Sequence, residues 1–312
     1  MVNVAELLTD RLSTVRQSLG DALRDRVAGP NANERVLEII EASGERWFTE
    51  DRPIRLVHAD ASMFIGGLRA LLIQTLHPLA MAGVAQHSDY RNDPWGRLQR
   101  TADFLAVTTF GPADEAQRTI DRIRHVHSFV QGTAADGRPY SANDPHLLEW
   151  VHVAEVDSFL TSYQRFGARP LNQRDRDRYI HDMAVIASKL GVLSPPETEH
   201  ELRERLRRFI PELRSTPESR DAVRYLTLTP PLTFPANGAY FALVSATVAT
   251  LPAWTRPLLR LPLLPLTERL ALRPLGIGVT NAFRWVTAPN SPFADERRRH
   301  ESVQRAEILD RA

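Results

Sequence analysis

The sequence predicts an all-α protein, a single multi-helix bundle with globin-like packing around a central pocket and a Pro/Leu-rich helical C-terminal region. Three observations carry this. Apolar residues recur at steps of three and four along most of the 312 residues, while strand-type alternation is almost absent. Helix start and stop residues punctuate the pattern at intervals typical of helices. Prolines crowd the chain after about residue 215 (Pro217, Pro230, Pro231, Pro235, Pro252, Pro257, Pro262, Pro265), with leucines between them. That spacing predicts short helices broken by kinks, a lid or wall over the main bundle.

The elements follow in order. The first 25 residues are charged throughout and read as an amphipathic helix; a signal peptide needs an unbroken apolar stretch. Asn33–Ala42 forms a short helix. Ser62–Thr75 is strongly apolar and reads as a buried helix, with Gly66 and Gly67 allowing close packing. His77-Pro78 leads into Leu79–Gln86, and His77 itself is extended because it precedes proline. Arg97–Phe110 is a helix stopped by Gly111-Pro112, and Pro112–Phe129 is the next. Residues 133–142 read as a loop. Asp144 caps a helix with Pro145 at its first position, running to Phe166. Gly167–Asn172 breaks the chain, Arg174–Leu190 ends at Gly191, and Thr198 with Glu201 opens another helix. The tail from Glu296 reads as charged and helical. The organisation expected is N-terminal helices over 1–44, a core over 45–215 and the C-terminal region 216–312 packed on it, one structural domain overall.

Composition excludes several functions. Net charge is +1, which gives no basis for nucleic-acid binding. There are no cysteines, so thiolate nucleophiles, zinc–thiolate sites, iron–sulfur clusters and thiolate-ligated haem are all absent. The longest apolar stretch, Ala239–Trp254, is too short to span a bilayer and is interrupted by Pro252. A cytoplasmic location is expected, with attachment to a membrane surface left open. GxSxG, P-loop, HExxH and GxGxxG patterns do not occur. The basic run 203–209 reads as a solvated helix face.

The candidate chemistry lies between Arg97 and His127. On the helix Pro112–Phe129, Ala116, Ile120, Ile123, His127 and Val130 share one face, and Arg118, Asp121, Arg122 and His125 fall on the polar side. His127 therefore points inward and His125 outward. An inward imidazole is either a core histidine bonded to a carbonyl or a metal ligand: axial to haem iron, or one ligand of a non-haem metal. Arg97 and Thr101 meet at i, i+4 beside Phe104, Leu105 and Thr108. Arg97 is either solvated or paired with Asp93 or Asp103, or it awaits a carboxylate such as a propionate; Thr101 then offers a hydroxyl to oxygen or water. Arg100, next to Thr101, reaches the same cavity if its stem lies along the apolar wall. His77 is either a local cap or a hydrogen-bond partner behind the cofactor. His152, on a face with Leu148, Val156 and Phe159, reads as core. A rival constellation is His181-Asp182 with His127 upstream and Asp221 downstream, the order used by metal-dependent phosphohydrolases. The face defined by Tyr179, Met183, Ile186 and Leu190 turns His181 toward solvent, which argues against it.

The strings HPLAMAGVAQHS (77–88), RLQRT (97–101), FG (110–111), HSFVQG (127–132) and YSANDPHLLEWVHVAEVDSFL (140–160) resemble the catalytic domain shared by latex clearing proteins, the rubber oxygenases. The family also includes uncharacterised bacterial proteins and an endomembrane-bound fungal oxygenase. The resemblance covers roughly residues 45–215. It implies an all-α fold that binds haem b (iron) and uses dioxygen, His127 matching the proximal ligand and Arg97 and Thr101 the distal pair. The rubber enzymes carry a lysine before the threonine; here it is Arg100, a poor iron ligand, so lysine-type gating is expected to be absent or different. The rubber-cleaving members also carry extra segments and export signals not evident in this sequence, so polyisoprene is not the expected substrate. The function expected is a haem-dependent oxidoreductase acting on a hydrophobic small molecule. The alternatives are a haem carrier or sensor without turnover and, further off, the HD-type phosphohydrolase.

Overall fold

The computed structural model describes residues 4–229 and 236–287. The chain forms helices α1 (Val4–Ala28), α2 (Ala32–Glu41), α3 (Pro53–His58), α4 (Met63–Gln74), α5 (Pro78–His87), α6 (Pro94–Phe110) and α7 (Ala113–Ser128), then strands β1 (Gln131–Thr133) and β2 (Pro139–Ser141). Helices α8 (Pro145–Phe166), α9 (Gln173–Leu190), α10 (Glu199–Phe209), α11 (Pro217–Leu228), α12 (Ala236–Thr250), α13 (Thr255–Leu259), α14 (Pro265–Thr267) and α15 (Arg273–Thr287) follow. A 3-10 turn Ile210–Glu212 closes α10, and a π turn Glu268–Leu272 joins α14 to α15. The all-α expectation holds. The tail from Glu296 lies outside the described residues.

The boundaries follow the expected chemistry. Asp144 accepts from the His146 N–H at 2.9 Å, Asn172 from Asp175 at 2.9 Å and Thr198 from Glu201 at 3.3 Å, each satisfying a donor that the first helical turn leaves free. Glu201 returns a carboxylate to the Glu197 N–H at 2.8 Å. Gly191 ends α9 at φ +117°, the left-handed conformation that favours glycine.

The core is centred on α4 and α8. A Cβ on Gly66 would stand 2.9 Å from the Phe159 ring and 3.2 Å from its Cα, so glycine is what lets the two helices approach. Trp150, Val153, Val156, Phe159 and Tyr163 of α8 join Leu72 and Ile73 of α4 and Tyr179, Ile180 and Met183 of α9 in one buried cluster. A second cluster brings Leu243, Val244 and Ala246 of α12 onto Ile65 and Leu68 of α4. Arg284 of α15 forks onto Asp60 before α4, at 2.8 and 2.9 Å.

One local expectation needs correcting. Residues 133–142, read as a loop, contain the second strand of a small antiparallel hairpin in which Gly132 faces Tyr140. Strands of three residues are too short to show alternation in sequence. Tyr140 holds the hairpin to α5: its hydroxyl donates to Gln86 at 2.7 Å and lies 3.1 Å from His87 Nε2, and Gln86 donates to the Thr133 carbonyl at 3.1 Å. A Cβ on Gly83 would meet the Tyr140 ring at 3.4 Å.

Candidate functional site

Gly111-Pro112 turns the chain between α6 and α7, and the two helices pack against each other as a helical hairpin. Arg97 stands about fourteen residues before that turn and His127 about fifteen after it. At ~1.5 Å per residue each lies roughly 20 Å from the turn along its own helix. The residue pattern of α7 explains the placement. Ala116 and Ile120 are buried, Ile123, His127 and Val130 are half-buried, and Arg118, Asp121, Arg122 and His125 are exposed.

His127 Nδ1 is buried and has no hydrogen-bond partner. Burial holds the imidazole pKa below its ordinary value, so the ring is neutral and carries a free lone pair. The apolar side chains Val126 and Phe129 beside it are exposed, Phe129 to 66 %. A core histidine of the ordinary kind would bond a carbonyl; this one does not.

Arg97 donates to the Ser88 hydroxyl at the end of α5. Among the described residues it forms no ion pair: Asp93 pairs with Arg100 at 3.2 Å and Asp103 with Arg35 at 2.8 Å. Burial, and then the neighbouring Arg100 charge, hold its pKa below the ordinary value. A guanidinium nonetheless keeps its proton, so Arg97 is a largely desolvated cation without a counter-charge among the described residues. Thr101 is exposed and donates to the Arg97 carbonyl at 3.0 Å. Arg100 is exposed, its side chain to 70 %, and is held by Asp93.

His77 sits elsewhere. It caps α5, with Nδ1 3.5 Å from the Ala80 N–H, and its Nε2 lies 3.3 Å from Glu212. Its ring neighbours are His146, Trp150 and Phe209. None of these belongs to α6 or α7. His152 is buried with Nε2 unpartnered, its pKa pushed down to about 4 by burial.

The phosphohydrolase constellation does not assemble. His181 is exposed and faces Glu197 at 3.2 Å, Asp182 is fully buried and pairs with Arg52, and Asp221 pairs with Arg91. A shallow surface cleft of about 630 Å³ does lie beside His181, lined by Arg52, Arg174, Asp177, Arg178 and Glu197, but neither His127 nor Arg97 borders it.

Two half-buried groups that sequence reasoning passed over lie among α3, α8 and α9. Glu155 has no hydrogen-bond partner among the described residues, and burial raises its pKa to about 7. His58 meets Thr109 Oγ1 at 2.8 Å and the Tyr179 hydroxyl at 3.4 Å, and burial lowers its pKa to about 3. The Glu155 carboxylate acts on Tyr179 from the other side and raises its pKa further. Glu155 occupies an ordinary position of a helical repeat, and only the packing marks it.

A family model described as "ER-bound oxygenase mpaB/B'/Rubber oxygenase, catalytic domain" matches residues 55–287. The match runs well past residue 215 and takes in α11 to α15. No curated protein and no solved structure matches the chain.

Proposed function

The chain belongs to the family of ER-bound oxygenase mpaB/B' and rubber oxygenase catalytic domains, and from that membership we propose that it is a haem b-dependent oxygenase acting with dioxygen on a hydrophobic small molecule. One observation carries the cofactor assignment. Two consecutive helices carry, on α7, a neutral imidazole with a buried, unpartnered nitrogen and, on α6, a largely desolvated guanidinium with no carboxylate partner among the described residues. Such groups suit a haem: the imidazole would hold its iron and the guanidinium could pair with a propionate. The donor set fits. No thiolate competes for the iron, and apolar surface beside His127 is left uncovered.

When bound, haem supplies the activation of dioxygen. His127 would hold the iron through its neutral ring. Arg97 would either fix a propionate or stabilise negative charge developing near it, and in a poorly solvated setting either effect is larger than in water. Thr101 keeps hydroxyl lone pairs free to accept while it donates to the Arg97 carbonyl. Arg100 has no part in this reading. No helix among the described residues is long and apolar enough to cross a membrane by itself. The exposed leucines of the segment before and within the π turn, with Arg260, Arg269 and Arg273, support contact with a membrane surface or a lipid-like substrate.

The test is spectroscopic. Haemin added to the purified chain gives a Soret band that responds to dithionite. His127→Ala leaves a folded helical protein without that band. Full haem content in the variant sinks the ligand assignment.

A further inference from the structure

Three residues outside the Arg97–His127 hairpin converge from distant parts of the chain. His77 caps α5 and is 1 % exposed, His146 lies in the first turn of α8, and Glu212 ends the 3-10 turn after α10. One carboxylate oxygen, Glu212 Oε2, stands 3.3 Å from His77 Nε2 and 2.8 Å from His146 Nε2. One ligand atom from each of the three residues lies within 4.8 Å of the others. Imidazole nitrogen and carboxylate oxygen bind zinc-class ions at about 2.0–2.2 Å, which separates two donors on one tetrahedral ion by ~3.4 Å. Both contacts made by Glu212 are already near that separation.

We propose that His77, His146 and Glu212 form a binding site for a divalent transition-metal ion of the zinc class, separate from the site at His127. The set is two imidazoles and one carboxylate, with no cysteine anywhere in the chain, which suits a borderline cation. The His146 and Glu212 side chains are 49 % and 38 % exposed, so a further coordination position opens to water. Aromatic walls fix the rings: the His146 ring lies 4.8 Å from Phe209, and the His77 ring 6.1 Å from Trp150. The backbone joins the same pieces, Arg214 donating to the Leu76 carbonyl at 2.8 Å. A bound ion therefore ties the starts of α5 and α8 to the end of α10.

Two features oppose binding and set its strength. Coordination through Nε2 leaves the His77 proton on Nδ1, facing the Ala80 N–H. That contact is 3.5 Å, at the outer limit of a hydrogen bond, so little is lost when it is given up. Arg138 places a positive charge near His77 and Glu212, and Asp136 offsets it at 2.7 Å.

The experiment is calorimetric titration of zinc chloride into the EDTA-treated full-length chain, with His146→Ala, Glu212→Gln and His127→Ala in parallel. His146 and Glu212 are surface positions, so their variants keep the fold. The parent and the His127 variant take up one equivalent with the same affinity. His146→Ala and Glu212→Gln each weaken uptake by tenfold or more. Absence of one-equivalent binding in the parent, or unchanged affinity in both cluster variants, overturns the proposal. The Soret band measured in the same samples reports on the haem reading separately.

Discussion

At the residue scale, the cost of burial separates the two members of the hairpin pair. A neutral imidazole is cheap to desolvate; a guanidinium is not, unless something answers its charge. Among the described residues Arg97 has the Ser88 hydroxyl as its side-chain partner and no carboxylate. Arg97→Ala should therefore leave the cofactor-free protein at least as stable as the parent, while haemin affinity drops about tenfold to a hundredfold, ~1.4–2.7 kcal/mol. Thermal unfolding without haem and a haemin titration read the two effects separately, and a large loss of cofactor-free stability would make Arg97 a structural residue instead. Glu155 gives a pH-dependent counterpart. Its folded pKa is raised from about 4.5 to about 7 by burial. The unfolded carboxylate thus loses its proton first, and the stability due to this group is full below about 4.5 and lost as pH rises through about 7. His58 acts in the opposite sense: its pKa is lowered to about 3, so its share of stability is lost as pH falls from about 6.5. Comparing Glu155→Gln with the parent cancels the His58 share. The variant should be more stable by ~1–3 kcal/mol at pH 8 and nearly equal at pH 4. Equal melting temperatures at both pH values would show that Glu155 is solvated.

At the scale of elements, the α4–α8 contact is the one most sensitive to a single atom. An alanine at position 66 must place its Cβ 2.9 Å from the Phe159 ring and 3.2 Å from the Phe159 backbone, and the backbone cannot move aside as a flexible side chain would. Overpacking of that kind costs about 1–3 kcal/mol, which outweighs the few tenths to 1 kcal/mol that replacing a helical glycine normally returns. Gly66→Ala should lower the denaturant midpoint. Gly67→Ala, where a Cβ meets nothing within 4 Å, should leave it unchanged or raise it. The glycine pair was legible in sequence as a close-packing signal, but which of the two carries the contact was not, because that depends on the rotation of α4 against α8. The α6–α7 hairpin was legible for a simpler reason: Gly111-Pro112 is a local stop and the faces on either side repeat at 3.6 residues. The Tyr140 hairpin was not. Its pairing is fixed by contacts with Gln86 and His87, more than fifty residues away in sequence.

At the scale of the whole molecule, sequence reading succeeds where neighbours in the chain are neighbours in space and fails where they are not. The inward turn of His127 follows from its own helix. The grouping of His77, His146 and Glu212 joins three segments whose spacing says nothing, and the sequence accordingly left His77 between a local cap and a hydrogen-bond partner behind a cofactor. The C-terminal region shows the same limit: its prolines announced broken helices, yet not which leucines remain outside. Leu263, Leu264, Leu266 and Leu270 are 50 %, 52 %, 76 % and 73 % exposed, and Arg260, Arg269 and Arg273 stand exposed among them. Apolar side chains interleaved with arginines on one stretch suit the boundary between lipid headgroups and acyl chains, where leucine is buried and guanidinium meets phosphate. The full-length chain should co-sediment with vesicles containing anionic phospholipid, bind zwitterionic vesicles more weakly, and dissociate in part as salt rises. Leu266→Glu with Leu270→Glu removes two exposed anchors without touching the core, so stability should change by no more than about 0.5 kcal/mol per site. The same double variant should lose most vesicle binding, because each substitution removes apolar contact and adds a charge that anionic headgroups repel. Undiminished sedimentation of the double variant would assign any lipid affinity to another surface. No sedimentation of the parent would leave these leucines to the substrate alone.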